Sequence, residues 1–123
     1  SGIAFDCKFI YPVDSNINAF DVSVILNNAI ENAFEGVKGC KDPYVSILAY
    51  RKKNAYMLEV KNCISKCVEI DNETGLPETT KKDKRSHGFG LANIRRVAQK
   101  YYGDIDINQD ENSFTLTVML MIE

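Results

Sequence analysis

What the chain lacks narrows its class first. No apolar run approaches the roughly 20 residues that a membrane-crossing helix needs, so no such helix is expected within this stretch. Histidine occurs once, at His87, and among the cysteines Cys7, Cys40, Cys63 and Cys67 only the last two are close, in a C-x3-C spacing. A zinc site draws on further Cys or His ligands nearby, so reduced, mostly buried thiols in a cytosolic domain are the expectation. The formal net charge is -2, which lacks the excess of Lys and Arg of a domain whose main partner is DNA or RNA. No P-loop pattern G-x-x-x-x-G-K-[ST] occurs, nor does an internal repeat or a low-complexity tract. There is neither a signal-peptide pattern nor an initial Met, and the chain is expected to be a domain cut from a longer protein.

What is present is an ordinary globular composition. The chain has 123 residues, 45% of them apolar and 26% charged, enough for one domain that buries a core without metals or disulfides. A first strand is expected over 4–11, closed by Pro12. Asp21 is the expected N-cap of a helix running to Gly36. Strands over 44–52 and 55–62 are joined by a tight turn at Lys53-Asn54. Residues 63–87 carry no sustained period, which predicts a lid, a binding loop or disorder; from about Ile70 to Ser86 the chain offers little to bury and is expected to be mobile without nucleotide. A helix over 90–102 capped by Gly103, then strands over 104–108 and 113–122 with a turn at Gln109–Asn112, complete the pattern. Hairpin-linked strands with two helices predict an α+β fold: a two-layer α/β sandwich whose mostly antiparallel mixed sheet carries the helices on one face.

Two segments carry chemistry. In Ile25-Leu-Asn-Asn-Ala-Ile-Glu-Asn-Ala-Phe-Glu35 the helical period places Asn28, Glu31, Asn32 and Glu35 in one sector, with Ile25, Leu26, Ala29, Ile30, Ala33 and Phe34 on the remainder. Such a stripe fits a solvated face. Asn, however, costs helix propensity, and paired amide oxygens suit magnesium, a hard cation that takes a few oxygen ligands beside substrate phosphates. The second segment, His87-Gly-Phe-Gly-Leu-Ala-Asn-Ile94, sets two glycines at a loop-to-helix junction. There the backbone can approach a ligand closely, and the unpaired first amides of the helix favour an anion. Upstream, Thr79-Thr-Lys-Lys-Asp-Lys-Arg85 packs four cations into five residues. They fit a solvated loop, or lysines that close on phosphates as point charges.

The pair N-N-A-I-E-N-A-F-E-G and H-G-F-G-L-A-N-I, in this order around a lid, resembles the GHKL ATPase superfamily of gyrase, heat-shock chaperone, histidine kinase and mismatch-repair ATPases. Within it the chain is most similar to the ATP-binding catalytic domain of sensor histidine kinases of the accessory gene regulator type, which sense peptide pheromones. Their lid, T-[ST]-K-K-D-x-x-x-H-G-x-G-L-x-N-I, is closely similar to Thr79–Ile94. The resemblance implies the Bergerat ATP-binding fold, with ATP and magnesium as ligands. It implies Asn32 as principal magnesium ligand, with Asn28 assisting at metal and phosphates. It has Gly88, Gly90 and Leu91 shape the backbone around the phosphates. The charge cluster itself makes Lys81 and Lys82 candidates for closing on them, and His87, beside the glycine turn, is a candidate nucleotide-site residue that also fits packing or hydrogen bonding at the base of the lid. Asn62 falls where the family has the Asp that reads the adenine amino group. The usual D-x-G-x-G box is absent, since Cys63 and Ile64 follow Asn62, and an Asn oxygen is a weaker acceptor than a carboxylate. Glu35 stands where many histidine kinases have Lys.

Hydrolysing members of the superfamily carry a Glu one turn before the magnesium Asn, as base for water. Here that position is Asn28, and an amide takes no proton at neutral pH. The resemblance therefore implies phosphoryl transfer to a histidine on a separate dimerisation domain, in a membrane receptor that is a homodimer at full length and signals to a response regulator, this domain lying on the cytoplasmic side. No nucleic-acid partner is implied. Two other readings stay open: an anti-sigma-factor-like serine kinase, and a module that binds nucleotide weakly without catalysis.

Overall fold

The computed structural model describes residues 2–13, 15–77 and 88–123. The elements, in order, are β1 (Ala4–Lys8), α1 (Ala19–Gly36), β2 (Tyr44–Lys52), β3 (Ala55–Cys63), α2 (Gly88–Lys100), β4 (Asp104–Gln109) and β5 (Ser113–Met121). They form one five-stranded sheet in the order β1-β2-β3-β5-β4. β1 runs parallel to β2 and every other pairing is antiparallel, so the sheet is mixed, as expected.

The strands alternate because one face of the sheet is covered. Val45, Ile47 and Ala49 of β2, Tyr56, Leu58 and Val60 of β3, and Phe114, Leu116, Val118 and Leu120 of β5 are buried. Ile25, Ala29 and Ala33 of α1 and Leu91, Ile94 and Ala98 of α2 join them in one cluster. At about 1.5–3 kcal/mol for each large aliphatic side chain removed from water, this face dominates the stability of the domain.

Several local expectations are corrected. The first strand ends at Lys8 and does not reach residue 11; Tyr56 instead donates its hydroxyl to the carbonyl of Ile10, 2.8 Å away, holding the chain beyond the strand against the β2–β3 end. The N-cap of α1 is Asn18, whose Oδ1 accepts from Phe20 N at 2.7 Å. Asp21 lies inside the first turn, buried, where its carboxylate accepts from the Tyr101 hydroxyl and from Lys100 Nζ. Gly103 is not a simple helix cap. Tyr102 takes the left-handed conformation with φ 58, and Gly103 lies so close to β5 that a Cβ would stand 1.7 Å from the Met119 carbonyl oxygen.

The aperiodic stretch after β3 is built on polar pairing. Gln109 holds Val68 on both sides, its Oε1 accepting from Val68 N at 2.9 Å and its Nε2 donating to Val68 O at 2.7 Å. Ile64 N donates to Asn112 O at 3.0 Å. Ile70 and Pro77 form an antiparallel bridge. The expectation that the chain from about Ile70 offers little to bury fails at Leu76, which is 7% exposed. Lys81, Lys82 and His87 lie outside the described residues, as does the expected mobility of the lid beyond Pro77.

Candidate functional site

The two motifs meet in space because α1 and α2 run side by side in opposite senses. At one end, the start of α1 joins the end of α2. Asn18 N donates to Tyr101 Oη at 3.0 Å, and Tyr101 Oη donates onward to Asp21. At the other end, Asn28 faces the start of α2. A Cβ at Gly90 would stand 3.4 Å from Asn28 Oδ1, in van der Waals contact.

The side chains on α1 are oriented by their own bonds. Asn28 Nδ2 donates to the Val24 carbonyl one turn back, at 2.8 Å, which leaves Oδ1 turned toward the glycine turn. Asn32 is 8% exposed, so the expected solvent stripe is not uniform. Glu31 is exposed while Asn32 is buried. Phe34, expected on the apolar face, is 41% exposed and packs on Phe5 of β1 with ring centroids 6.3 Å apart. Glu35 is paired with Lys38 at 3.1 Å, one turn beyond. That lysine brings a cation near the position where Lys was expected and Glu35 stands.

Asn62 enters from the end of β3 and is 2% exposed. Its Nδ2 donates to the Cys63 carbonyl at 2.8 Å, and among the described residues its Oδ1 accepts no hydrogen bond. The amide lies against the backbone of Gly36, where a Cβ would be 2.3 Å from Nδ2. Gly36 is a site residue that the sequence offered without revealing its role: it closes the N-N-A-I-E-N-A-F-E-G motif, and glycine is what allows the asparagine to lie on the helix end.

Next to Asn62, Cys63 Sγ accepts from Tyr44 N at 3.4 Å. Burial and the neighbouring Cys63 thiol push Cys40 up to about 11, so this thiol stays protonated at neutral pH. All four cysteines are free, but only Cys63 is buried; Cys7 and Cys67 are exposed and Cys40 is intermediate, which corrects the expectation of mostly buried thiols. The C-x3-C pair does not act as a unit, since Cys67 points away to the Asp110 carbonyl at 3.3 Å. Among the described residues no three His, Cys, Asp or Glu side chains cluster as a metal site.

Gly88 opens α2 and Gly90 lies in its first turn. Leu91, expected to shape the phosphate backbone, is fully buried and anchors that turn to the core. Asn28, Asn32, Gly36, Asn62 and Gly90 thus come from α1, the end of β3 and the start of α2, the elements that bound one end of the two-layer structure. The polar groups there are side-chain amides and the start of a helix, a neutral set that suits a ligand bringing its own negative charge.

Comparisons with known proteins agree with this fold. A family model described as the GHKL domain matches residues 17–121. A protein of Rickettsia typhi whose name assigns it as an NtrY-like sensor histidine kinase is 24% identical over 121 residues, covering 85% of this chain and 19% of its own length. The chain therefore spans about a fifth of the curated relatives it matches. The catalytic domain of the histidine kinase ThkA, nucleotide-free, superposes with a TM-score of 0.72 at 18% identity over 97% of this chain and 79% of the other. A blue-light activated histidine kinase from Erythrobacter litoralis gives 0.69 at 10% identity, over 98% of this chain and 51% of the other. Both are likenesses of fold.

Proposed function

The chain belongs to the GHKL domain family, and on that premise we propose that it binds ATP with magnesium and donates the γ-phosphoryl group to a histidine on a separate dimerisation domain. The observation that carries the reading is the approach of Asn28 to Gly90, which brings the amide oxygens of one helix to the anion-favouring start of the other.

Each residue has a definite task. Asn62 Oδ1 accepts from the adenine amino group, because its own Nδ2 is committed to Cys63. The first amides of α2 hold phosphate oxygens. Asn32 and Asn28 would hold the magnesium through amide oxygens; as neutral ligands they form part of a shell that nucleotide phosphates and water complete. Magnesium, when bound, neutralises charge on the phosphates. Lys81 and Lys82 are assigned to the phosphates, and His87 to the base of the lid, by sequence alone.

Hydrolysis is disfavoured by the same geometry. Asn28 occupies the position of a base and can take no proton. Glu31 is exposed, and Glu35 is paired with Lys38. Phosphoryl transfer depends mainly on positioning and charge neutralisation, so an acceptor that brings its own nucleophile needs no strong base here. The Thr79–Ile94 lid sequence and Asn62 in place of Asp support assignment to the peptide-pheromone-sensing, accessory gene regulator type, as the cytoplasmic part of a homodimeric membrane receptor with a response regulator downstream. A serine acceptor, or nucleotide binding without transfer, remains the alternative that identifying the phosphorylated amino acid would separate.

Calorimetry tests the ligand. ATP should bind more tightly with magnesium than with a chelator present, and Asn32→Ala should remove most of that difference. Equal affinity in all four combinations contradicts the metal assignment.

A further inference from the structure

β1 lies at one edge of the sheet and pairs with β2 along its inner side. That pairing is continuous from Ala4 to Lys8, without a bulge, and neither Pro nor Gly interrupts residues 3–9. Ala4 N donates to Pro43 O at 3.0 Å, so Ala4 turns its backbone polar groups inward. Successive residues of a strand turn these groups to opposite sides. Asp6 and Lys8 therefore follow Ala4, while Phe5 and Cys7 present N–H and C=O to the open edge. A regular edge of this kind is a template for a further strand.

The side chains form two rows. Phe5 and Cys7 share the helix-bearing face with Val45 and Ile47, their partners in register, and alternation continues that row to Ile3 and Phe9. Ile3, Phe5 and Phe9 are 39%, 52% and 36% exposed, although Phe34 packs on Phe5. Asp6 and Lys8 stand on the opposite face, both exposed. Among the described residues neither has an ion-pair partner. The far edge of the sheet differs, because β4 exposes Asp104 and Asp106, like charges of the kind that keep edges apart.

We propose that β1 is a self-association surface, pairing antiparallel with β1 of a second copy about a two-fold axis at Cys7. Hydrogen-bonded partners across the new edge must both turn their backbone groups outward, so Phe5, Cys7 and Phe9 oppose one another. Charge then selects the register. Centring on Asp6 or on Lys8 sets that charge against its own copy, which is unfavourable. Centring on Phe5 or on Phe9 leaves both charges opposite uncharged residues. Centring on Cys7 sets Asp6 opposite Lys8 of the second copy, and Lys8 opposite its Asp6. These are non-hydrogen-bonded positions, where side chains approach most closely. The same register lays Phe5 against Phe9 of the second copy on the helix-bearing face. The pairing does not involve the nucleotide site.

The test is sedimentation equilibrium of the 123-residue chain without nucleotide, as wild type, Asp6→Lys, Lys8→Asp and the double swap. Wild type should dimerise reversibly, and more weakly as salt screens the exposed pairs. Each single reversal sets like charges opposite at two places, and should raise the dissociation constant about tenfold. The double swap should return it to within about threefold of wild type. An equimolar mixture of Asp6→Lys and Lys8→Asp should associate as a heterodimer, since each then opposes the other's charge. Both side chains are exposed, so the variants should unfold at the wild-type temperature. A chemical trap reads the axis itself. In a Cys67→Ser chain the oxidant diamide, which takes up the hydrogens the thiols release, should link Cys7 to its copy. The expected Cα separation there, about 5.5 Å, suits a disulfide. The link should be lost in Cys7→Ser and suppressed in Asp6→Lys. Wild type that stays monomeric up to about 1 mM, single reversals without effect, a double swap or mixture that does not recover, or equal cross-linking in Asp6→Lys would each overturn the proposal.

Discussion

Gly36 and Asn62 occupy one space: a Cβ on the helix residue would stand 2.3 Å from the Nδ2 of the strand residue. The end of α1 and the end of β3 therefore pack through a missing side chain. Asn62 is 2% exposed and cannot swing into solvent without uncovering the core beneath it. Gly36→Ala should cost about 1–3 kcal/mol, as for other overpacked sites. In an Asn62→Ala background the same change should cost far less, because the three heavy atoms nearest the added Cβ all belong to the Asn62 side chain beyond its Cβ. Denaturant unfolding of the four proteins gives the coupling; additive losses would show that the contact is immaterial.

Acid should loosen the two helices at their other end. The Tyr101 hydroxyl, and then the Lys100 ammonium, hold the Asp21 carboxyl below the usual Asp range. The group's folded pKa lies below its unfolded value, so its contribution is present above the unfolded value, about 4, and is lost as pH falls through the folded one. Tyr101→Phe should cost about 1.5–3 kcal/mol at pH 7, the range for a hydrogen bond to a charged group, and should flatten the fall in stability below pH 4. Lys100→Ala should cost less, since Lys100 is 63% exposed. Chemical denaturation repeated from pH 3 to 7 reads both effects. An acid limb unchanged in Tyr101→Phe contradicts the assignment.

Leu76 measures how far the core extends into the stretch after β3. It is 7% exposed within the main cluster. Leu76→Ala should lower stability by about 2–3 kcal/mol and should speed amide exchange at Asp71, which donates to the Leu76 carbonyl. A loss below about 0.5 kcal/mol, the usual scale for surface changes, would make that hairpin an appendage.

The elements were readable where packing imposes a period. β2, β3 and β5 alternate because one face is covered, and α2 shows Leu91, Ile94 and Ala98 on a single buried face. The segment 64–77 was not readable, because Gln109, Asp71 and Arg95 hold it through polar groups that leave no periodic trace. The N-cap of α1 was misplaced for a related reason. Asn18 and Asp21 are both good caps, and what separates them is Tyr101, distant in sequence, which draws Asp21 inward. At the candidate site, residue types pointed to Asn28, Asn32 and Gly90, and the family resemblance to Asn62. The burial of Asn32 and the role of Gly36 depend on which element lies opposite, and a single helical period cannot show that.

Asn28 gives a direct comparison between water and a positioned acceptor. Wild type should hydrolyse ATP slowly, near the 10⁻⁴ per second that positioning alone supports in other phosphoryl-transfer proteins. Asn28→Glu, which restores a proton acceptor beside the start of α2, should raise turnover if the fold is kept. Wild-type turnover of about 1–10 per second, typical of enzymes, would contradict the absence of a base.

The central claim is tested most directly by supplying a dimerisation domain in trans with γ-labelled ATP and magnesium, and identifying the labelled residue. The account predicts phosphate on histidine, stable to base and labile to acid, with transfer reduced by Asn32→Ala. Label on serine, or nucleotide binding with no transfer to any dimerisation domain of this receptor type, would contradict it.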